Sequence, residues 1–334
     1  MVSPWVWVGL ILPAFFVLNE GAKLVTDSAA IMARRSGRSK FVIGVLLVST
    51  LGALPEVLVA IFALLSDAPD LAIGSALGSH ILNASFMIGL PAVFLPIVVR
   101  REILMRDIVF LAAVTLVVGA LLLDGDLTIY EGAVLILLFV PYAANLLSSG
   151  RMQPAEELEA IAIESEIELE LIGHVFNRPI KVRAGLKWLL IGLALLFVGA
   201  HFVTRGAEAI FDLFGVSKFI LGITVVAVGT SLPDIAAAVQ AVRRGHPDLA
   251  LAIGIGASIF TMLLTLGVMG LGFPQRFIVD DLLNTIIVMG AQILVLLVFA
   301  ATGRQIHRWE GAILFAFYPL YIAIELLLHY GGRL

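Results

Sequence analysis

Leu54-Pro55-Glu56 and Leu232-Pro233-Asp234 lie 178 positions apart, and the sequence around them repeats at the same spacing: Gly21 to Gly89 matches Gly199 to Gly267 without a gap. The chain is therefore an internal duplication. Each copy places one carboxylate directly after a proline inside an apolar stretch. Because a buried acid is costly in lipid, the duplication pairs two acids that we expect to serve a function.

The composition excludes an ordinary water-soluble globule. Of the 334 residues, 60% are hydrophobic and 14% charged, and the mean hydropathy is +1.07, whereas soluble domains carry about 25% charged residues. The chain has no cysteine, which excludes disulfides and thiolate metal sites. No basic patch with interleaved aromatic residues indicates nucleic-acid binding. We therefore expect an integral membrane protein.

Ten apolar runs of membrane-spanning length follow one another along the chain. They cover roughly 4–32, 38–65, 70–98, 105–124, 129–148, 184–212, 216–242, 248–273, 280–302 and 308–330. Five spans in each copy is an odd number, so the second copy must enter the membrane from the opposite side. This predicts an all-α membrane protein whose ten transmembrane helices form two inverted-topology five-helix repeats, over 1–148 and 184–334, joined by a loop over 149–183.

The basic residues predict the orientation of these spans. The loops after spans one, three, seven and nine carry Arg34, Arg35, Arg38, Lys40, Arg100, Arg101, Arg106, Arg243, Arg244, Arg304 and Arg308. The loops on the other side hold only Lys218 and Arg276. By the positive-inside rule, both termini lie outside and the loop 149–183 lies in the cytoplasm, and we place the protein in a prokaryotic cell membrane.

The loop 149–183 is strongly acidic. Its acidic residues are Glu156, Glu157, Glu159, Glu164, Glu166, Glu168 and Glu170. We interpret it as a solvated or amphipathic linker between the two halves. A regulatory cation-binding loop is the alternative, although the segment lacks the Asp/Asn-Gly ligand spacing of a dedicated calcium loop.

Span seven gathers oxygen ligands around its proline. Ala227-Val228-Gly229-Thr230-Ser231-Leu232-Pro233-Asp234 combines a glycine and a proline, which loosen a helix, with two hydroxyls and an acid. The proline removes a backbone hydrogen bond and so leaves a carbonyl that needs a partner in a dry environment. Hard cations such as Ca²⁺ and Na⁺ bind carboxylate, hydroxyl and carbonyl oxygens. The segment therefore predicts a cation site at this depth.

Spans three and eight add polar side chains at matching positions. Gly74 and Gly78 in span three let that helix approach a neighbour closely. Ser79 and Asn83, four residues apart, share one helix face. They serve either helix–helix hydrogen bonding or ion coordination. In span eight the counterpart of Asn83 is Thr261.

Together these residues resemble the cation/calcium antiporter superfamily, in particular the Na⁺/Ca²⁺ exchangers. The family signature is Gly-Thr-Ser-x-Pro-Glu followed by a Gly-Ser-Asn-x-x-Asn/Asp helix, and Gly229 to Asp234 is close to the first part. The resemblance covers the whole chain. It implies that Glu56 and Asp234 bind Ca²⁺ together with backbone carbonyls near Gly52 and Thr230.

The resemblance also implies two flanking Na⁺ sites, one of them complete. The complete site consists of Ala227, Thr230, Ser231, Ser79 and Glu56. The symmetry-related site consists of Ser49, Gly52, Ala53, Ala257 and Asp234, where the side-chain hydroxyls that the family uses are missing. The central position, where the family has an Asn/Asp pair, holds Asn83 and Thr261. The chain is thus identified as an atypical member.

We therefore expect a secondary antiporter that exchanges Ca²⁺, or a related divalent cation, for Na⁺ by alternating access. An H⁺-coupled cation antiporter is the alternative, and a passive cation channel is a more remote one. The long first and sixth spans could slide against the other eight as the gate. No tightly bound cofactor is expected, since Ca²⁺ and Na⁺ (or H⁺) are transported. The expected partners are inorganic cations and the lipid bilayer, with no nucleic acid and no evident protein partner.

A membrane enzyme is the competing class. Gly256-Ala257-Ser258 resembles a serine nucleophile, and two intramembrane acids resemble an aspartyl dyad. One of these acids is a glutamate, and the repeat symmetry already accounts for both, so we expect no enzyme. His80 stands where the family has an asparagine, and it serves either a helix–helix hydrogen bond or a proton relay.

Overall fold

The computed structural model describes residues 3–35, 53–149, 185–277 and 279–330, and most of this part of the chain is helical. We number the helices in chain order: α1 Pro4–Arg35, α2 Leu54–Leu65, α3 Pro69–Phe94, α4 Arg101–Asp124, α5 Ile129–Ser149, α6 Leu186–Phe214, α7 Lys218–Arg243, α8 Pro247–Gly272, α9 Val279–Gly303 and α10 Arg308–Tyr330. Gly52, the first part of predicted span two and nearly all of the acidic loop lie outside the described residues.

The described helices confirm the predicted membrane architecture. Eight of them are long and apolar enough to cross a membrane, judged by length and composition. The other two, α2 and α5, contain the shorter apolar stretches Leu54–Leu65 and Ile129–Ala144. The chain is therefore an integral membrane protein of the all-α class, with ten transmembrane helices.

In the described part of the chain, four short strands pair at the ends of the helices. The strands are β1 Ile97–Val98, β2 Asp126–Leu127, β3 Gln275–Arg276 and β4 Gln305–Ile306. β1 pairs antiparallel with β4, and β2 pairs antiparallel with β3. In the duplication, β3 is the counterpart of β1, and β4 is the counterpart of β2.

These strand pairs show that the two repeats are inverted. α4 separates β1 from β2 and has 24 residues, which is about 36 Å of helix. The β1·β4 pair and the β2·β3 pair therefore lie at opposite ends of the bundle. Repeats of the same orientation would place the counterparts β1 and β3 at one end, whereas the structure places them at opposite ends.

Matching carboxylate caps begin the last helix of each repeat. Glu131 Oε2 accepts hydrogen bonds from the Thr128 amide (2.6 Å) and hydroxyl (2.9 Å), and Glu310 Oε2 accepts one from the His307 amide (2.7 Å). Such a cap satisfies a backbone donor that the helix itself leaves open. The two glutamates are 179 positions apart, so α5 and α10 correspond with a shift of one residue relative to the 178-residue repeat.

The helices α3 and α7 cross in direct backbone contact, as the small residues of span three predicted. A Cβ added at Gly74 would lie 2.6 Å from the Phe219 carbonyl oxygen, and one at Gly78 would lie 2.6 Å from Ile223 Cα. On the other helix, a Cβ at Gly222 would lie 2.6 Å from the Leu71 carbonyl oxygen. Only glycine permits this approach. The crossing places the polar segment of α3 beside that of α7.

Wide helical turns interrupt several of the membrane helices, and no sequence pattern predicted them. Two π-helical segments begin at equivalent positions of the repeats, Asn83–Gly89 in α3 and Thr261–Thr265 in α8. Another, Gly222–Val226, lies in α7 just before Ala227. π-Helical turns occur frequently at functional sites. Here they coincide with the predicted ligand positions.

Candidate cation site

The two predicted acids lie inside the helix bundle. Glu56 stands in the first turn of α2, next to Pro55, and only 6% of it is exposed. Its Oε2 atom has no hydrogen-bond partner in the protein. Asp234, next to Pro233 in α7, is partly buried, and its charge lies close enough to act on Glu56. Two neighbouring carboxylates repel each other when both are ionised, so a bound cation stabilises the pair.

The polar segment of α7 is helical throughout, and a wide turn that the sequence did not predict lies just before it. The helix runs without a break through Pro233, and the π-helical turn Gly222–Val226 precedes Ala227. Pro233 has no amide hydrogen, so the Gly229 carbonyl four residues earlier loses its usual donor. This carbonyl is one candidate backbone ligand near Thr230.

The Thr230 hydroxyl is oriented by the helix that carries it. Its Oγ1 donates to the carbonyl oxygens of Val226 (3.0 Å) and Ala227 (3.3 Å). A hydroxyl that donates its hydrogen keeps its oxygen lone pairs for another ligand. Thr230 is 3% exposed and Ala227 is fully buried. The arrangement therefore suits an oxygen that faces a cation.

Several buried side-chain oxygens on these helices have no protein partner. They are Ser79 Oγ, Asn83 Oδ1, Ser231 Oγ and Ser258 Oγ. Native proteins pair nearly all buried polar atoms, so each exception requires an explanation. The helices that carry them pack together, α3 against α7 and α7 against α8. A cation among these oxygens would satisfy atoms that the protein leaves open.

Ser258 is a residue that the sequence interpretation missed. The sequence assigns it no role as a ligand, yet its hydroxyl is fully buried and has no protein partner. The repeat offered one signal for Ser258, because its counterpart in the first copy is another polar residue, His80. Thr261, the counterpart of Asn83, is also buried at 2% exposure and begins the π-helical turn of α8.

The symmetry-related half of the predicted site is described only in part. Ser49 and Gly52 lie outside the described residues. Ala53 is buried and Ala257 is partly buried, and neither side chain can supply an oxygen ligand. The donor oxygens of the described site are therefore concentrated on α3 and α7.

The donor set is suited to hard cations. Within the described ranges, no group of three or more His, Cys, Asp or Glu residues could hold a metal ion. Two carboxylates supplemented by hydroxyl, amide and carbonyl oxygens suit Ca²⁺ or Na⁺ better than a transition metal, which takes imidazole or thiolate ligands.

His80 joins two helices. Its Nε2 lies 3.2 Å from Thr115 Oγ1 in α4, and that hydroxyl donates to the Leu111 carbonyl (2.8 Å). Because the Thr115 hydroxyl already donates its one hydrogen to the Leu111 carbonyl, His80 must donate through Nε2. Of the two roles expected for His80, the structure shows the hydrogen bond between helices.

Comparisons with known proteins agree with this architecture. A sequence profile of the family described as "Sodium/calcium exchanger protein" matches residues 5–147 and again residues 185–327. The chain is 33% identical over 265 residues to the inner membrane protein YrbG of Escherichia coli (strain K12), covering 79% of each chain. It is also 33% identical to the putative antiporter CaxA of Alkalimonas amylolytica, covering 93% of this chain and 94% of CaxA.

A solved structure is similar over almost the full length. The sodium/calcium exchanger from Methanococcus jannaschii superposes with a TM-score of 0.62 at 27% identity, covering 96% of this chain and 99% of that chain. The fold, the duplicated family match and the intramembrane acids thus lead to one conclusion. The chain belongs to the sodium/calcium exchanger family of membrane transporters.

Proposed function

We propose that this protein is a secondary antiporter that exchanges Ca²⁺, or a related divalent cation, for Na⁺ by alternating access. The observation that carries the proposal is the pair of intramembrane acids, Glu56 and Asp234, on helices whose buried oxygens lack protein partners. Ca²⁺ would bind between the acids. Na⁺ would use Ser79, Thr230 and Ser231 with the carbonyl of Ala227. The name of the similar M. jannaschii exchanger supports both ions.

The charge of the site provides a reason for exchange rather than leak. Two ionised carboxylates without a bound cation are costly to expose to the low-dielectric centre of a membrane. A bound cation compensates their charge and lowers that cost. The site would therefore change its accessible side only when a cation is bound. The cations are cargo, so no resident cofactor is needed. The basic loops support an orientation with both termini outside and the acidic loop in the cytoplasm of a prokaryotic cell.

The packing of α1 and α6 supports their role as the gate. A Cβ at Gly21 would lie 2.7 Å from the Leu196 amide nitrogen, and one at Gly199 would lie 2.7 Å from Leu18 Cα. The two helices thus form a closely packed pair. The ring of Phe15 in α1 packs against Gly229. A movement of α1 would therefore change a direct contact with the polar segment of α7.

H⁺ is the second candidate for the counter-ion. The observation that favours it is the absence of side-chain oxygens at Ala53 and Ala257, which removes one flanking Na⁺ site. Glu56 and Asp234 could carry protons when no metal cation is bound.

Isotopic Ca²⁺ uptake into proteoliposomes, under separately imposed Na⁺ and pH gradients, tests the proposal. We expect the Na⁺ gradient to drive uptake. Glu56→Gln and Asp234→Asn should each abolish it, because a divalent ion needs the charge that the amide lacks. The exposed acids Glu102 and Asp124 provide matched controls, so Glu102→Gln and Asp124→Asn should transport normally.

Three results would contradict this assignment. Normal uptake by either site variant would exclude the acids as ligands. Uptake driven only by the pH gradient would establish H⁺ as the counter-ion. Ca²⁺ flux without any cation on the opposite side would indicate a channel.

A further inference from the structure

A chain of buried hydrogen bonds connects α9 and α10 to the helices of the site. It begins at Gln292 in α9, which is 1% exposed. The side-chain amide nitrogen of Gln292 donates to the Ile81 carbonyl (3.1 Å) and to Ser85 Oγ (2.8 Å), both in α3. Since a carbonyl only accepts, these contacts fix which end of the Gln292 amide faces α3. Both amide hydrogens are used.

Ser85 passes the chain on to α10. Its hydroxyl donates to the Leu314 carbonyl (2.9 Å) and accepts from the Tyr318 amide (3.2 Å) as well as from Gln292. A hydroxyl has one hydrogen and two lone pairs, so Ser85 is fully satisfied. It bridges two α10 residues that are four apart, immediately before Pro319.

Tyr318 completes the chain at α7. Its phenol donates to the Ile223 carbonyl at 2.6 Å. Ile223 lies in the π-helical turn Gly222–Val226. The amide of Ala227 bonds to the carbonyls of Gly222 and Thr224 and passes over that of Ile223. Tyr318 therefore supplies a donor to a carbonyl that the wide turn deprives of its α-helical partner.

Both ends of the chain lie beside proposed ion ligands. Ile81 stands between Ser79 and Asn83, and Ile223 lies one turn before Ala227. We call the group formed by Gln292 of α9, Ser85 of α3 and Tyr318 of α10 the α9–α10 lock. It contacts the backbone of the two helices that carry the more complete set of oxygen ligands.

The other repeat has no such lock. The counterparts of Gln292, Ser85 and Tyr318 are Val114, Leu263 and Phe139, the last with the one-residue shift of α5 and α10. None of these side chains has a polar atom, yet α8 forms its π-helical turn there, Thr261–Thr265. The π-helical turn of α8 therefore forms without such side chains. Residues 44–48, the counterparts of Gly222–Val226, lie outside the described residues. A role in forming a π-helical turn does not by itself explain why the polar chain lies beside Ser79, Thr230 and Ser231.

We propose that Gln292, Ser85 and Tyr318 are positioning residues for the monovalent cation, which hold α3 and α7 so that Ser79 lies beside Thr230 and Ser231. The lock itself contacts no ion. The proposal builds on the proposed function, because it takes Na⁺ to be the ion at these hydroxyls. The divalent cation depends mainly on Glu56 and Asp234, so it should depend less on the lock.

The test compares Tyr318→Phe and Gln292→Leu with Tyr130→Phe in reconstituted full-length protein. Tyr318→Phe removes only the hydroxyl and keeps the ring that contacts Phe86 (5.8 Å). Tyr130 is 81% exposed, so its variant is the matched control. For each lock variant we expect the half-saturating Na⁺ concentration to rise about tenfold, while that for Ca²⁺ and the maximal rate change less than about twofold. If the lock acts as a unit, the double variant should show little further loss.

Hydrogen exchange provides a readout that does not depend on transport. In the lock variants, the peptides containing Ile81–Asn83 and Gly222–Ala227 should exchange faster than in the wild type and in Tyr130→Phe. Reduced yield or melting temperature with an unchanged half-saturating Na⁺ concentration would overturn the positioning role. Unchanged exchange at both turns would overturn the lock itself. If wild-type transport showed no Na⁺ dependence, Na⁺ would be excluded as the counter-ion. The hydrogen-exchange measurement alone would then test whether the lock holds the two turns.

Discussion

A methyl group at Gly78 tests whether the backbone contact between α3 and α7 sets the geometry of the cation site. A Cβ at this position would lie 2.6 Å from Ile223 Cα, whereas ordinary van der Waals contact begins at 3.4 Å. Because the obstructing atom belongs to the backbone, it cannot rotate away. The helices must separate by the difference between 3.4 Å and 2.6 Å, about 0.8 Å.

That separation is large compared with what a bound ion tolerates. Metal–ligand distances are held to about 0.2 Å, and Ser79 is the residue next to Gly78. We expect Gly78→Ala to lower the free energy of unfolding by about 1–3 kcal/mol through overpacking. We also expect the half-saturating Na⁺ concentration to rise at least about tenfold, which corresponds to about 1.4 kcal/mol of lost binding free energy.

Proteoliposome uptake at varied Na⁺, together with thermal unfolding in detergent, measures both effects. Gly290→Ala in α9 is the matched control, because no atom lies within 4 Å of an added Cβ there. Alanine also favours the helical conformation more than glycine does, so the control should be at least as stable as the wild type. Wild-type Na⁺ dependence in Gly78→Ala would show that the crossing does not set the site geometry.

Three further predictions concern the ligands and one exposed ion pair. Thr230→Val or Ser231→Ala should weaken Na⁺ dependence more than Ca²⁺ affinity, because a divalent ion depends mainly on the acids; an unchanged Na⁺ response would point to protons. The triple change Gly52→Thr, Ala53→Ser and Ala257→Ser restores the missing side-chain oxygens. It should steepen Na⁺ dependence and raise the charge moved per Ca²⁺ in voltage-clamped vesicles. A wild type that already shows the Na⁺ dependence and charge movement of a full exchanger would contradict this. At the β2·β3 pair, the hydrogen bonds and charge of Arg276 lower the pKa of Asp126. The ion pair should therefore be intact above the ordinary carboxyl pKa and open only as the pH falls through the lowered value. In an NMR titration, Arg276→Gln should raise the pKa of Asp126, and an unmoved pKa would contradict this.

Much of the fold could be predicted because it depends on local patterns. Apolar runs of spanning length predicted the membrane helices, and an odd number of spans in each copy predicted the inversion that the strand pairs display. The π-helical turns could not be predicted, because a wide turn changes the backbone register without changing the residue types. Asn83–Gly89 has the composition of any membrane helix.

The site was predictable only in part. The acids stood out because a charge after a proline in an apolar run is costly in lipid. Ser258 did not stand out, because a serine is common in membrane helices and its sequence does not reveal that its hydroxyl is buried without a partner. Likewise, Pro233 predicted a freed carbonyl in its own segment, but it did not predict the wide turn Gly222–Val226, which ends seven residues before it.

The sequence by itself determined that the protein lies in a membrane, where its helices run, that its two halves are repeats and which two acids lie within them. Each of these follows from composition, run length or internal repetition. Only the tertiary structure decided which oxygens remain unpaired and which distant side chains position them. Ser85 meets Leu314, and Tyr318 meets Ile223, across 229 and 95 positions of the chain. Burial and hydrogen bonding are properties of such pairs, and a pattern read along one chain records only its near neighbours.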